Sequence, residues 1–513
     1  MTDSTTAQTS LHVIVVGAGA AGISAARSLQ DTGCRVTILE ARDRIGGRVQ
    51  TAYDLAPHPV ELGAEYIHGA NVVTWDMVRQ FNLTTVSDVT KDDFHIYFGD
   101  RIHSGDDKSR IPSVHLVDTY EDIAFDWVEK GRPDASVHDV VTKWAELNNA
   151  DLSPDLQRLV NSRVSAREGG DWARLGVHGM YEQNDNPGGN FRIKEEYTAL
   201  LEQAVAGLNV TLNTPVQSIL WSQDGVQIHS TTGQTFAADR ALVTLPLGVL
   251  QAQDVRFTPS LPPEKQAAIN GLGAGHVDKI AMRFRERFWP QDMAGVLTTL
   301  QSQIWWRPGW RRDDEAPLLM AIIGGDAALH FESLGADAVP EALDHLSAMF
   351  GENARKHFEA GRFISWGTDR WSKTGYSYGL VKGAGLRDQL AQPVDDILFF
   401  AGEATHVTHS GTVHGAIESG ARAAHEILKL EKLKADIYKC PTLNFTATAT
   451  TPSKKEHPPS TRWCRGLSSL DTQPWPSPTT TTCAGRWSLL KWPAVWTFSP
   501  YPAPKSRLKQ ADT

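Results

Sequence analysis

The chain has 513 residues, 41% of them hydrophobic and 21% charged, and a formal net charge of -10. That length allows roughly two to four domains, and the acidic balance argues against a nucleic-acid partner, whose phosphates call for clustered Lys and Arg. No apolar run approaches the roughly 18 residues of a membrane helix. The polar first residues lack the basic start of a signal peptide, and among the cysteines only Cys34 lies in the body of the chain, so a reduced, cytoplasmic protein without a membrane partner is expected.

The first element carries the strongest signal. Val13, Ile14, Val15 and Val16 make a short buried strand, and Gly17, Gly19 and Gly22 follow in G-x-G-x-x-G spacing. A helical pattern through Ile23, Ala26 and Leu29 stops at Gly33, and a second strand, 36–39, ends on Glu40. The spacing predicts a dinucleotide site. Gly17 makes the tight turn, Gly19 lets backbone approach a pyrophosphate, Gly22 lets helix and strand pack, and Glu40 stands where an acid bonds ribose hydroxyls. The helix N-terminus offers amide N–H groups to the phosphates.

Arg42, Arg44, Gly46, Gly47 and Arg48 come next, followed by the short strand and close-approach turn of 60–69. The arginines read either as a second phosphate contact or as a solvated basic turn. Together, Gly17 to Gly22, Glu40, Gly46-Gly47-Arg48 and the segment 61–69 resemble the flavin-containing amine oxidases, the group of monoamine oxidases, polyamine oxidases and flavin-dependent lysine demethylases. The resemblance implies FAD rather than NAD. It implies FAD contacts from Arg42, Gly47, Arg48, Gly63 and Ala64, with Glu65 and His68 facing the substrate cavity.

From about 92 to 197 the pattern reads as mostly helical, an insertion that walls the cavity, with Tyr120, Ile123, Ala124 and Trp127 at helical spacing. Glu168, Glu182 and Asp185 near its end either attract a cationic substrate or are merely solvated. Where the family has a basic–Gly–Tyr helix, this chain has Glu195, Glu196 and Tyr197, so the family glycine is replaced. Strands follow to Leu245, and the resemblance makes Val216 an adenine contact. Along 276–288, Ile280, Met282 and Phe284 share one strand face and Lys279, Ala281 and Arg283 the other. Spacing alone leaves Lys279 a solvated lysine. The resemblance, through Phe288-Trp289-Pro290, makes it the lysine that bonds a water at flavin N5. Trp305, Trp306 and Trp310 are read equally as core or cavity wall.

Trp366, Trp371 and Tyr376 carry the next resemblance. It implies that Tyr376 belongs to an aromatic cage that orients the amine, that Trp366 lines the cavity, and that Trp371 lies on the cofactor. Gly375 stands where monoamine oxidases carry the cysteine that links to the flavin, so non-covalent FAD is implied. Gly402 and Glu403 end a buried strand, and Thr412 and Val413 lie in the segment that leads into a helix over 417–430; these four are further implied FAD contacts, Thr412 also facing the cavity. Thr412-Val413-His414-Gly415-Ala416 and His68 are closer to polyamine oxidases and demethylases than to monoamine oxidases. Past about Lys439 a Pro-, Thr-, Ser- and Trp-rich tail without period is expected to be disordered.

The expected architecture is α/β. A doubly wound FAD domain collects 1–90, 205–255 and 390–435, interleaved with an α+β substrate domain of 91–204 and 256–389. The expected activity is oxidation of a polyamine-like amine by hydride transfer to flavin, with O2 reduced to hydrogen peroxide. An L-amino-acid oxidase with Arg163, Arg167 or Arg192 on the substrate carboxylate is the alternative. A silent binder of cationic tails is the alternative from another class.

Overall fold

In the strand His12–Val16, residues Val13 to Val16 are all apolar because both faces are covered. In the computed structural model, which describes residues 10–87, 93–183 and 188–438, this strand is the centre of a five-stranded parallel sheet. Arg35–Leu39 and then Val210–Thr211 lie on one side, Arg240–Val243 and Leu398–Phe400 on the other. Val13 and Val15 pack with Ala25 and Leu29 of the helix Ala20–Asp31 and with Ala423 and Ile427 of the closing helix Val413–Tyr438. Ile14 and Val16 pack on the opposite side with Ile219, Val243 and Phe400. Every strand of this sheet comes from the segments expected to hold the nucleotide, and the chain crosses away between them.

A second, seven-stranded sheet runs in the order Phe358–Ile364, Val277–Phe284, Leu318–Gly324, Ile304–Trp306, Gly295–Thr298, Phe94–Phe98, Arg101–His103. It is antiparallel except where Phe94–Phe98 joins Gly295–Thr298. The strand Val277–Phe284 corrects one expectation. Its Ile280 face packs on Phe331 and Leu346, but the opposite face is buried too. Ala281 lies against Leu62, Trp306 and Met320, and Lys279 is 6% exposed.

The expected, mostly helical insertion forms, with strands added at its two ends. Its helices Leu116–Glu129, Val137–Asn148 and Pro154–Glu168 form, the last two started by Ser136 and Ser153 accepting backbone N–H groups. The stretch opens, however, with the strands Phe94–Phe98 and Arg101–His103 and ends with Asn190–Ile193. Five residues are too few to display a period, and the parallel partner of the first strand lies about two hundred residues along the chain.

Met1–Lys432 form one compact unit; of the second, Leu433–Thr513, only the end of the closing helix is described. The expected disordered tail, like Asp185, lies outside the described residues. Among the described residues no helix is long and apolar enough to cross a membrane.

Candidate active site

The glycine turn is held by its own backbone. Gly17, at φ +109°, donates its N–H to Leu39 O at 2.8 Å. The Glu40 carboxylate, 5% exposed, accepts from Ala18 N at 2.7 Å and Arg42 N at 2.9 Å, tying the second strand's end to the turn. A Cβ at Gly22 would stand 2.0 Å from Gly17 O, so only hydrogen fits where the helix crosses the turn. The helix begins at Gly19 with no side-chain cap. Its first amides therefore lack intrahelical partners and, with the positive end of the dipole, form an anion site.

None of the three arginines is a solvated turn residue. Arg42 donates to Asp369 Oδ2 and Ser372 Oγ, both at 2.9 Å. Arg44 braces its own loop through the carbonyls of Ile45, Gly47 and Val49 and the Gln50 side chain. Burial, then the neighbouring Arg42, lowers its pKa to about 10. Arg48 donates to Gly375 O at 2.8 Å and pairs with Glu403 at 3.0 Å. The Glu403 carboxylate also accepts from Ser377 Oγ at 2.7 Å and Gly411 N at 2.9 Å. Burial pushes its carboxyl up, but Arg48, the fully buried Arg387 and these hydrogen bonds outweigh it and hold it below its ordinary value. The structural roles of Asp369 and Arg387 have no counterpart in the sequence reading: neither sits in a motif, and Arg42 and Glu403 are brought to them only by folding.

A cavity of about 1430 Å³ joins the expected positions. It exceeds the roughly 300–1,000 Å³ of an ordinary small-ligand pocket. Gly17, Gly19, Glu40, Arg42, Gly47 and Arg48 line it, as do Gly63, Ala64, Val216, Trp371, Gly402, Glu403, Thr412 and Val413. So do Glu65, His68, Lys279, Trp366 and Tyr376. Of the residues expected to hold the cofactor only Gly22 is off the wall, as its packing contact requires. The glycine cradle, the open helix amides and the size of the cavity fit a flavin dinucleotide.

At the far end the charges are paired. Lys279 Nζ donates to Glu65 Oε2 at 3.0 Å and Glu61 O at 3.1 Å, 5.1 Å from the Trp306 ring. Trp306 Nε1 donates to the other oxygen of Glu65 at 3.1 Å. Trp306 is thus cavity wall, and its hydrogen bond to Glu65 was not legible in the sequence. Trp366 Nε1 donates to Leu62 O at 3.1 Å, and its backbone N–H to Asp278 at 2.8 Å. The Tyr376 hydroxyl donates to Ala166 O at 2.5 Å, and its ring lies against Gly169 and Gly411. Burial, then the charge of Glu168, pushes that hydroxyl's pKa far up, so it stays a donor. Thr412 Oγ1 donates to His409 O at 2.7 Å, and His68 Nδ1 meets Asn190 Oδ1 at 2.8 Å.

Glu168 lies on the wall, 8% exposed, with Arg167 at 3.3 Å. Glu182 instead accepts from Gly385 N and is off the wall. Arg163 and Arg167 line the cavity; Arg192 donates to the carbonyls of Pro308 and Trp310 and does not. Behind Lys279, Glu196 occupies the replaced glycine position at φ +75°, 7% exposed, with its carboxyl against that of Glu61. Burial, then Glu61, pushes the Glu196 carboxyl up, so the two hold a proton between them.

Residues 20–428 match the family described as flavin containing amine oxidoreductase. Polyamine oxidase 4 of Oryza sativa subsp. japonica is 30% identical over 438 residues, 81% of this chain and 88% of that protein. Lysine-specific histone demethylase 1B of Mus musculus is 30% identical over 450 residues, 81% of this chain and 52% of that protein. Among solved structures, cyclohexylamine oxidase from Brevibacterium oxydans IH-35A superposes with a TM-score of 0.68 at 21% identity, over 82% of this chain and 100% of that one.

Proposed function

The chain belongs to the flavin containing amine oxidoreductases, and from that premise we propose that it is an FAD-dependent oxidase of a primary or secondary amine, polyamine-like rather than small and aromatic. The observation that carries this reading is a cavity whose wall includes both the glycine turn with Glu40 and the Lys279–Glu65 pair with Tyr376. FAD held there would supply the hydride acceptor for the amine's α-carbon and the route by which O2 is reduced to hydrogen peroxide.

The chain's own residues bind, orient and exclude water. The segments 1–90, 205–255 and 390–435 hold the nucleotide, and 91–204 with 256–389 wall the substrate. The open amides after Gly19 and the Arg48–Glu403 pair position the cofactor's phosphates and ribityl chain. Among the described residues no cysteine lies on the wall, in keeping with a non-covalent cofactor. Tyr376 and Trp366 present aromatic faces that attract a cationic amine and align it once neutral. The 30% identity to a polyamine oxidase supports the polyamine-like choice of substrate. Lys279, with Glu65 as counter-ion, holds protons at the reacting end. Replacing it with Met slows flavin reoxidation and leaves FAD content unchanged; equal reoxidation rates in a stopped-flow comparison would remove that role.

Arg163 and Arg167 on the wall favour one second reading, an L-amino-acid oxidase with an arginine on the substrate carboxylate. Peroxide release from the purified yellow protein, over spermidine, spermine, putrescine, tyramine, lysine and arginine, separates the two. The proposal expects the first two to be oxidised fastest. Lysine or arginine alone would establish the second reading, and no peroxide from any would leave a binding protein.

A further inference from the structure

A cluster of histidines outside the expected site stands where the loop before the closing helix meets its first turns. His406, His409 and Glu418 bring their side-chain ligand atoms within 4.8 Å of one another. His406 Nε2 lies 2.9 Å and His409 Nδ1 2.7 Å from the same oxygen of Glu418. The two rings stack at 5.0 Å with a 12° interplanar angle, and His414 meets His409 edge-on at 4.8 Å.

Two imidazoles and a carboxylate suggest a metal, but the hydrogen bonding points elsewhere. His406 Nδ1 accepts the backbone N–H of His409 at 3.0 Å. Its ring proton is therefore on Nε2, the nitrogen a metal would need, whereas a ligating histidine donates from its other nitrogen to an acceptor. The cluster is arranged to hold protons. Glu418 stays ionised: burial raises its carboxyl, but the bonds from His406 and His409 prevail and hold it at about 2. With Nδ1–H of His409 aimed at that carboxylate, the lone pair of the neutral ring is on Nε2, as in a carboxylate-oriented catalytic histidine.

His409 lines the cavity, whereas His406 and Glu418 do not. Two residues on, Gly411 lies against the Tyr376 ring, and His414 feels the charge of His68 across the cavity wall. An amine enters as an ammonium and must lose a proton before its nitrogen has a lone pair. We propose that His409, oriented by Glu418, is the base that takes this proton. The ammonium N–H bond breaks, the proton goes to Nε2 of His409, and the electron pair stays on the substrate nitrogen. Glu418 is the positioning residue that stabilises the resulting imidazolium.

Glu65 and Glu168 on the same wall are held by Lys279 and Arg167, and three further groups are poorer acceptors. Lys279 already donates to Glu65 and Glu61. His414 is lowered to about 3, by burial first and then by His409, and keeps no added proton. His68 faces the Asn190 amide oxygen rather than a carboxylate.

The inference rests on the amine-oxidising reading. Its test is anaerobic reduction of the bound flavin by spermidine in stopped flow, between about pH 6 and pH 10. His409→Ala lowers the reduction rate about 10²-fold near neutral pH. The deficit closes as the pH nears the amine's own pKa, about 10, where free amine is supplied by solvent. Added imidazole restores the His409→Ala rate near neutral pH. Glu418→Gln moves the acid limb of the wild-type profile about one unit lower. If His409→Ala loses its flavin, His409→Asn takes its place. A His409 variant with the wild-type pH profile, or without imidazole rescue, overturns this inference alone. Wild-type flavin that no amine reduces overturns it together with the amine-oxidising reading.

Discussion

The two ends of the cavity are built from different material. The nucleotide end is made largely of backbone: three glycines, the first amides of one helix and one carboxylate, all within residues 17–40. The amine end is made of side chains from segments far apart: Lys279 and Trp306 both bond to Glu65, while Trp366 and Tyr376 bond to the backbone carbonyls of Leu62 and Ala166. A backbone site fails when an atom is added to it. A side-chain site fails when a partner is taken away.

The largest expected effect is at the first end. Gly22→Val places side-chain carbon where Gly17 O already stands at 2.0 Å from a Cβ, and overpacking at a turn that cannot move costs about 3 kcal/mol or more. The purified variant should hold less than about a tenth of the wild-type flavin, read from its visible absorbance. Full flavin content would mean that the helix can shift and the end is not rigid.

At the second end, Glu65→Ala leaves the Lys279 ammonium buried without its carboxylate, which costs about 3–5 kcal/mol. Urea unfolding measures this directly. The double variant Glu65→Leu with Lys279→Met should recover most of the loss, because a buried pair is replaced by apolar side chains. Equal destabilisation by the single and double variants would show that the two charges are not coupled.

Tyr376→Phe keeps the aromatic face and removes only the hydroxyl bonded to Ala166 O. The expected loss is about 1 kcal/mol in stability, with kcat/KM for the best amine within about tenfold of wild type. Tyr376→Ala should fall further in kcat/KM, since the cage face goes with the ring.

The smallest effect has the opposite sign. Glu196 sits at φ +75° with a buried carboxyl against Glu61, so Glu196→Gly should stabilise the protein by about 1 kcal/mol. The folded carboxyl's pKa lies above that of the unfolded chain, so the folded state binds the extra proton. Wild-type stability therefore falls as pH rises above the ordinary glutamate range towards about 10, the folded value. The advantage of Glu196→Gly should widen across that window in thermal unfolding. A gap that narrows with pH would mean that the Glu61–Glu196 pair holds no proton.

How much of this was legible follows the same division. The parallel sheet, the glycine turn and Glu40 could be read directly, because period and spacing are local. Lys279 was named only through resemblance. On alternation alone it belonged to a solvated face, and the structure buries that face beneath Leu62 and Trp306. The strand Phe94–Phe98 was missed because its pairing partner, Gly295–Thr298, is remote in the chain. Glu196 was noticed as a missing glycine, and the positive φ gives the reason.

By itself the sequence determined the glycine turn proposed to hold the nucleotide, because such a turn acts through backbone atoms whose neighbours are fixed within a few residues of chain. Only the tertiary structure decided which charges are paired. It gives Lys279 to Glu65, Arg48 to Glu403, Arg42 to Asp369, and His409 to Glu418. An ion pair in a buried site is set by which side chains arrive within about 4 Å of each other, and chain spacing carries no record of that distance.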